Sequence, residues 1–305
     1  MPTVRTFDIL RLQYTPDAIT QFDQSFLETE HSVAGKLLRR LIPSVPVLAR
    51  TPVASMLDIA DYFVKRRHPE WSTLPPASLR MRIGVGNYIL NNHAEFIQHA
   101  NNLVAELSGK GYLTPQSQVL ELGCGCGRNA RALKQFLGAE GRYTGQDVDA
   151  EMIAWCSANL AGERARFEHA NLLSLVYNPH GKIITDYRFP ANDSSISLII
   201  AVSVFSHLLY ADANHYIRES SRVLMPGGYL HMTHFIMDYI RPRLGQRWSF
   251  AHKELNCYVE NLRYPEAAVA FDLSVIKDML TEHGLALETI YNDELHQQTV
   301  IARKL

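Results

Sequence analysis

The sequence predicts an α/β fold: a mostly parallel sheet of seven strands with a C-terminal antiparallel hairpin, flanked by helices, plus a helical N-terminal cap. Three observations predict it. A short apolar run, Val119 to Leu122, enters a turn with glycine at 123, 125 and 127 and leaves it in a helical pattern. From Val119 onward strand-like runs alternate with helical spacing, the arrangement that covers a parallel sheet on both faces. The last two strand-like runs, 285–291 and 298–303, are separated only by Asn292 to Gln297, too short for a helical crossover.

Residues 1–78 form the predicted cap. Thr15-Pro16-Asp17 is a helix start, with threonine at the cap and proline at the first helical position. Ile19, Phe22, Phe26, Val33, Leu37 and Leu41 follow at near-helical spacing until Pro43 and Pro46. Thr51-Pro52 repeats the start signal, and Met56, Ile59, Ala60 and Phe63 supply a second apolar face. Leu74-Pro75-Pro76 is a linker signal. A cap packed on the core and a lid over an acceptor pocket are compatible readings of this segment.

The second unit spans 79–305. Its opening, Leu79 to Tyr88, is basic and glycine-containing, and a helix follows to about Gly109 as its C-terminal cap. Strands are expected at 118–122, 141–147, 164–168, 196–202, 228–236, 285–291 and 298–303. Between them, Asn129–Phe136 places Ala130, Leu133 and Phe136 on one helical side. A further helix, Ala150 to Leu160, is capped by Asp149. A tight turn at Pro226-Gly227-Gly228 leads into the fifth strand. An insertion at 238–270 holds Tyr239, Arg241, Arg243, Trp248, His252, Tyr258, Arg263 and Tyr264, which read either as a helical cover with a small core of its own or as an aromatic and basic mixture that stacks on an acceptor ring and pairs with phosphate or carboxylate.

Composition narrows the function classes. With 47% hydrophobic residues the chain is equipped for a sizeable core. Thirty Lys plus Arg against 31 Asp plus Glu argue against a protein that wraps nucleic acid. The opening MPTVRTFDILRLQ is too charged for a signal peptide, and no apolar run reaches membrane-spanning length, so a cytoplasmic protein is expected. Cys124, Cys126, Cys156 and Cys257 have neither C-x-x-C spacing nor a disulfide pattern. His231 and His234 would face opposite sides of a strand, so no metal site is expected.

The glycine turn and the acid Asp147 at the end of the next strand make a nucleotide-binding βαβ unit, the acid lying where ribose hydroxyls would. Gly125 to Ala130 also fits G-x-G-x-x-A, which leaves an NAD(P)-dependent oxidoreductase open. That alternative explains neither Pro226-Gly227-Gly228 nor the terminal hairpin. Glu121 followed by G-x-G-x-G, the segment Arg222-Val223-Leu224-Met225-Pro226-Gly227-Gly228 and the hairpin together resemble the class I S-adenosylmethionine (SAM) dependent methyltransferases. The resemblance covers 79–305 and implies a Rossmann-like methyltransferase sheet.

It also implies a cofactor site. Gly123, Cys124, Gly125 and Gly127 would cradle the methionine part of SAM, with Glu121 ordering the turn or reaching the amino group through water. Arg82 would meet the carboxylate. Asp147 would hold the ribose and Val148 pack on adenine. Asn171, where the family carries aspartate, would accept from the adenine amino group, with Leu172 beside it. Ser203 and Phe205 would line the transfer site, and His207 is the candidate base. The asparagine-proline-proline-tyrosine signature of nucleic-acid amino methylation is absent after the fourth strand. The expected reaction is in-line displacement by a small-molecule acceptor, a hydroxyl or amine of a sugar, glycolipid or secondary metabolite. A non-catalytic SAM-binding interaction protein is the second alternative.

Overall fold

The computed structural model of the chain describes residues 52–83, 93–174, 178, 180–182, 184, 187–241, 244, 248–262, 265–292 and 297–305. The helix signals from Thr15 to Pro46, the stretch Gly84 to Tyr88, and Arg243, Arg263 and Tyr264 lie outside these residues.

Among the described residues, the part before the sheet carries α1 (Pro52–Arg67), a single turn α2 (Ala77–Arg80) and α3 (His93–Gly109). What holds α1 is not the anticipated stripe. Met56, Ile59 and Phe63 are exposed, whereas Asp61 is buried. Asp61 accepts from Arg80 Nη2 at 2.8 Å, from His93 Nε2 at 2.6 Å and from Lys65 Nζ at 2.8 Å. Lys65 and Arg80 also donate to the carbonyl of Pro75. Burial pushes the Asp61 carboxyl up, but hydrogen bonds from Arg80 and Lys65 outweigh it and hold it below the ordinary range. Two cations and the His93 ring, stacked on Trp71 at 4.5 Å, thus close around one carboxylate. The polar side of α1 faces inward because that carboxylate is fully engaged there.

The sheet starts at β1 (Gln118–Leu122), followed by α4 (Arg128–Phe136), β2 (Arg142–Asp147), α5 (Ala150–Asn159), β3 (Ala165–His169), β4 (Ile196–Ala201), α6 (Tyr210–Val223) and β5 (Leu224–Ile236). The strands lie in the order β3-β2-β1-β4-β5, all parallel. Because β1 and β4 are covered on both faces, alternate residues feed two cores. Leu120, Leu122 and Ile199 join one with Ile217, while Val119, Leu198 and Ile200 join the other with Ala130 and Leu133. Each such buried aliphatic side chain contributes about 1.5–3 kcal/mol.

Beyond β5 come α7 (Met237–Ile240), three short strands β6 (His252–Glu254), β7 (Cys257–Val259) and β8 (Val269–Phe271), α8 (Leu273–Glu282) and the pair β9 (Leu285–Asn292) and β10 (Gln298–Lys304). β10 lies antiparallel between β5 and β9, so the terminal hairpin closes the sheet.

Two expectations are corrected. Pro226-Gly227-Gly228 is not a turn outside the strand: β5 begins at Leu224, and its register to β4 slips between Ile196↔Leu224 and Leu198↔Tyr229. Gly227, at φ +81°, absorbs that bulge. The insertion is not a helical cover. β8 pairs parallel with the end of β5, Phe235↔Ala270 and Ile236↔Phe271, and β7 and β6 follow antiparallel. It does have its own small core, Phe235, Ile240, Trp248 and Phe250. Among the described residues no helix is long and apolar enough to cross a membrane.

Replacing Asp61 with alanine leaves Arg80 and Lys65 facing each other without their carboxylate. Urea unfolding should show a loss of about 3–5 kcal/mol, the range for breaking a buried ion pair on one side. A loss below about 1 kcal/mol would show that the cluster does not hold the cap to the core.

Candidate functional site

The open edge of the sheet is the row of C-terminal strand ends, where ligands bind in folds of this layout. β1 ends in Gly123 (φ +68°) and Gly125 (φ +54°), a left-handed backbone that only glycine adopts freely. A Cβ on Gly125 would lie 2.7 Å from Ile83 Cγ2, and one on Gly123 2.6 Å from Val204 Cγ2. The turn is therefore packed as well as bent.

Two acids sit beneath it. Glu121 is buried, its carboxylate accepting from Asn129 Nδ2 at 2.8 Å and from the Tyr143 hydroxyl. Burial pushes its pKa up to about 7, against the pull of those two donors. Both oxygens of Glu121 are thus engaged from within, by the helix that follows the turn and by the neighbouring strand. Asp147, half-buried at the end of β2, accepts from Gly125 N at 2.7 Å and from Asp149 N at 2.9 Å. Burial raises its pKa to about 6 despite those backbone bonds. Asp149 caps α5 by accepting from Glu151 N and Met152 N, as expected.

Arg82 departs from expectation. Its buried guanidinium pairs with Asp149 Oδ2 at 3.1 Å and Glu151 Oε2 at 2.6 Å. Arg82 therefore meets the two acids at the start of α5, the capping Asp149 and the first-turn Glu151. Cys124 is a second correction. Both Cys124 and Cys126 are buried, and burial pushes their thiols up, Cys126 to about 12. The Cys124 backbone is engaged as well: its N–H donates to the Gln146 carbonyl and its carbonyl accepts from Gly127 N, both at 3.0 Å.

The remaining residues fall along the edge. Asn171 is exposed after β3, its amide oxygen accepting from Asn178 Nδ2 at 3.0 Å, with Leu172 buried beside it. Val148 is half-buried against the core. Ser203 is exposed after β4 in a left-handed conformation, φ +56°. Phe205 does not line the edge: it is fully buried, 4.9 Å from the His234 ring and packed on Tyr216. In a short helical turn its side chain swings under the sheet end and leaves Ser203 above. His207 is half-buried and donates Nδ1–H to the carbonyl of Glu266 at 2.9 Å. That tautomer leaves Nε2 with the lone pair, and burial lowers its pKa, so the ring is neutral near pH 7.

Strand order β3-β2-β1-β4 thus sets Asn171, Asp147, the glycine turn and Ser203 in one row, three strand spacings or about 14 Å long. Asn129, Tyr143, Thr233 and Gln297 were not anticipated. A signal for Tyr143 exists: a buried acid on β1 needs donors on its own face, and Gly145, opposite Glu121, leaves the room that Tyr143 fills. His231 and His234 are both buried, His231 near Glu106 and Lys110 and His234 against Phe205 and Phe271. A cavity of about 310 Å³ lies between α1 and α5, lined by Asp58, Asp61, Lys65 and Trp155, away from this edge. Its Asp61 and Lys65 are engaged with each other, so it competes poorly as the site.

Residues 119–228 match the family model described as a methyltransferase domain. The chain is 36% identical over 121 residues to an arsenite methyltransferase of Aquipseudomonas alcaligenes, covering 40% of this chain and 33% of that protein. It is 27% identical over 196 residues to a biotin biosynthesis bifunctional protein of Bordetella avium, covering 64% and 37%. The chain thus spans about a third of the length of these curated relatives. Among solved structures it is similar to a SAM-dependent methyltransferase from Methanosarcina mazei, at 19% identity and TM-score 0.45, covering 65% of this chain and 97% of that one.

The elevated pKa of Glu121 links stability to pH. A carboxyl whose folded pKa lies above its ordinary value stabilises the fold fully below that ordinary value. The contribution is lost as pH rises through about 7. Asp147 acts in the same sense, whereas His231 and His234, whose pKa values burial lowers to about 4 and about 3, act in the opposite sense, so the test is the difference between two proteins that share those groups. The thermal midpoint of Glu121→Gln should gain on that of the parent between pH 5 and 8. Equal slopes in both proteins would remove Glu121 as the cause.

Proposed function

We propose that the chain, whose residues 119–228 match a methyltransferase domain, is a class I SAM-dependent methyltransferase that uses S-adenosyl-L-methionine to methylate a small-molecule acceptor. The observation that carries the reading is the row of strand-end groups, Asn171, Asp147, the glycine turn and Ser203, along one edge of the matched segment, with Asn171, Gly123 and Ser203 exposed on it. Its length suits an extended nucleoside joined to an amino acid. Asp147 would hold the ribose through the lone pairs not used by Gly125 N and Asp149 N. The glycine turn offers a backbone-lined cradle for the methionine part, and Asn171 and Val148 flank the adenine.

Bound SAM supplies a methyl group on a sulfonium, an activated electrophile with a good leaving group. The protein's task is then alignment and exclusion of water, and alignment alone is worth about 7–11 kcal/mol. His207 is the base in this reading. Its Nδ1–H is fixed on the Glu266 carbonyl and its Nε2 accepts a proton from an acceptor hydroxyl. The insertion that supplies Glu266 is attached to the end of β5, on the acceptor side. A hydroxyl or amine of a sugar, glycolipid or secondary metabolite is the proposed acceptor class.

Arsenite is not favoured, although one relative is named for it. All four cysteines of this chain are buried. Burial raises the Cys124, Cys126, Cys156 and Cys257 thiols, so none offers a thiolate to a soft metalloid.

Two variants test the reading. Asp147→Ala should bind S-adenosylhomocysteine ten- to a hundredfold more weakly by calorimetry while its circular dichroism stays unchanged, as loss of charged hydrogen bonds implies. Unchanged affinity would refute the ribose assignment. His207→Ala should keep that affinity and lose about 100-fold in turnover in a screen of hydroxyl acceptors with labelled SAM. Full activity would return His207 to a packing role. Binding of NAD or NADP in place of S-adenosylhomocysteine would overturn the proposal, and cofactor binding without transfer to any acceptor would favour a non-catalytic binding protein.

A further inference from the structure

Ser203 holds a backbone conformation that a side chain disfavours, and the groups that hold it there come from the far end of the chain. Its N–H donates to Thr233 Oγ1 at 2.7 Å, and the Thr233 hydroxyl donates to Gln297 Oε1 at 2.7 Å. The Ser203 hydroxyl donates to the same Gln297 oxygen at 3.3 Å. The other end of the carboxamide, Nε2, reaches the buried Ser206 Oγ at 3.4 Å. Gln297 can do this because β10 runs antiparallel to β5: Thr299 lies opposite Thr233, and Gln297 is the diagonal neighbour on the same face.

A non-glycine residue at φ +56° costs free energy and persists only where its surroundings over-determine it. Here the surroundings are the Thr233 hydroxyl, which takes the Ser203 N–H, and the Gln297 carboxamide, which fixes that hydroxyl and the one of Ser203. The position is consequential, because Val204, the next residue, packs where a Cβ on Gly123 would lie. The turn carrying His207 begins there too, with His207 N donating to Val204 O. One side chain from the terminal hairpin therefore sets the 203–207 segment against the glycine turn.

The geometry points to Gln297 as a positioning residue of the cofactor site: it acts through Ser203, holding the end of β4 in the left-handed conformation that shapes the edge beside the glycine turn. This rests on the reading of Ser203 as part of the transfer site. Gln297 itself is not assigned contact with cofactor or acceptor.

The test uses the full chain, calorimetric titration with S-adenosylhomocysteine, and a rescue. Gln297→Leu removes all three hydrogen bonds and should weaken binding at least tenfold. Ser203→Gly, whose glycine takes a positive φ without that penalty, is the reference for the rescue whatever its own affinity. The double variant should recover to within threefold of Ser203→Gly, because its backbone no longer needs to be held. A merely structural role for Gln297 predicts no such rescue. Undiminished affinity in Gln297→Leu, or a loss that persists in the double variant, overturns the inference. If Gln297→Leu does not fold, Gln297→Glu retains both acceptor bonds, and its second oxygen can accept from the Ser206 hydroxyl instead of donating to it. It should stay within threefold of the parent, and a tenfold loss there overturns the inference. Failure of the parent protein to bind S-adenosylhomocysteine would instead overturn the methyltransferase reading and this inference with it.

Discussion

The carboxylate of Asp147 joins three pieces of chain that would otherwise meet only through packing. One oxygen accepts the N–H of Gly125 and so fixes the turn after β1. The other accepts the N–H of Asp149, the residue that caps α5. Asp149 in turn accepts from Arg82, which also pairs with Glu151 and brings the cap-side segment onto the helix start. Turn, helix and cap-side segment are therefore placed relative to one acid at the end of β2. Burial raises the pKa of that acid to about 6, and the backbone donors that oppose the rise are the groups whose position it sets.

The second buried acid makes the same point more sharply. Glu121 lies on a strand facing the core, where an unpaired carboxylate would be costly. Asn129 from α4 and Tyr143 from β2 meet both oxygens. The helix after the turn and the neighbouring strand are thus tied to β1 from below while Asp147 ties the turn from the side. The glycines give the turn its freedom of backbone, and the two acids take that freedom away again. A ligand-binding backbone is pre-organised in this manner at the cost of burying two ionisable groups.

How much of this was legible in the sequence follows from length scale. Seven strands were placed to within a few residues because buried strands on both faces leave apolar runs such as Ile196–Ala201, and because alternating helices bound them. β6, β7 and β8 were not, since three residues each carry no period, and their stability comes from an edge on β5 that no local pattern announces. The apolar side of α1 was seen and its burial misjudged, because Asp61 depends on Arg80 and His93, distant in sequence, to become a core residue. Within the site, residues at strand ends were identifiable by position. Partners were not: that Arg82 is spoken for by Asp149 and Glu151, that Phe205 turns under the sheet, and that Gln297 reaches Ser203 are facts of tertiary contact.

The insertion connects these local facts to chemistry. It extends the sheet from the last two residues of β5, so its own core of Phe235, Trp248 and Phe250 is continuous with the strand that carries Thr233. Just before β8 it presents the Glu266 carbonyl that receives His207 Nδ1–H. A carbonyl accepts only from a protonated nitrogen, so the segment joined to β5 selects which nitrogen of His207 keeps its lone pair. Asp147 and the glycine turn, by contrast, are placed by β1 and β2. Divergence within the insertion would then alter the orientation of His207 while leaving Asp147 and the glycine turn where they are.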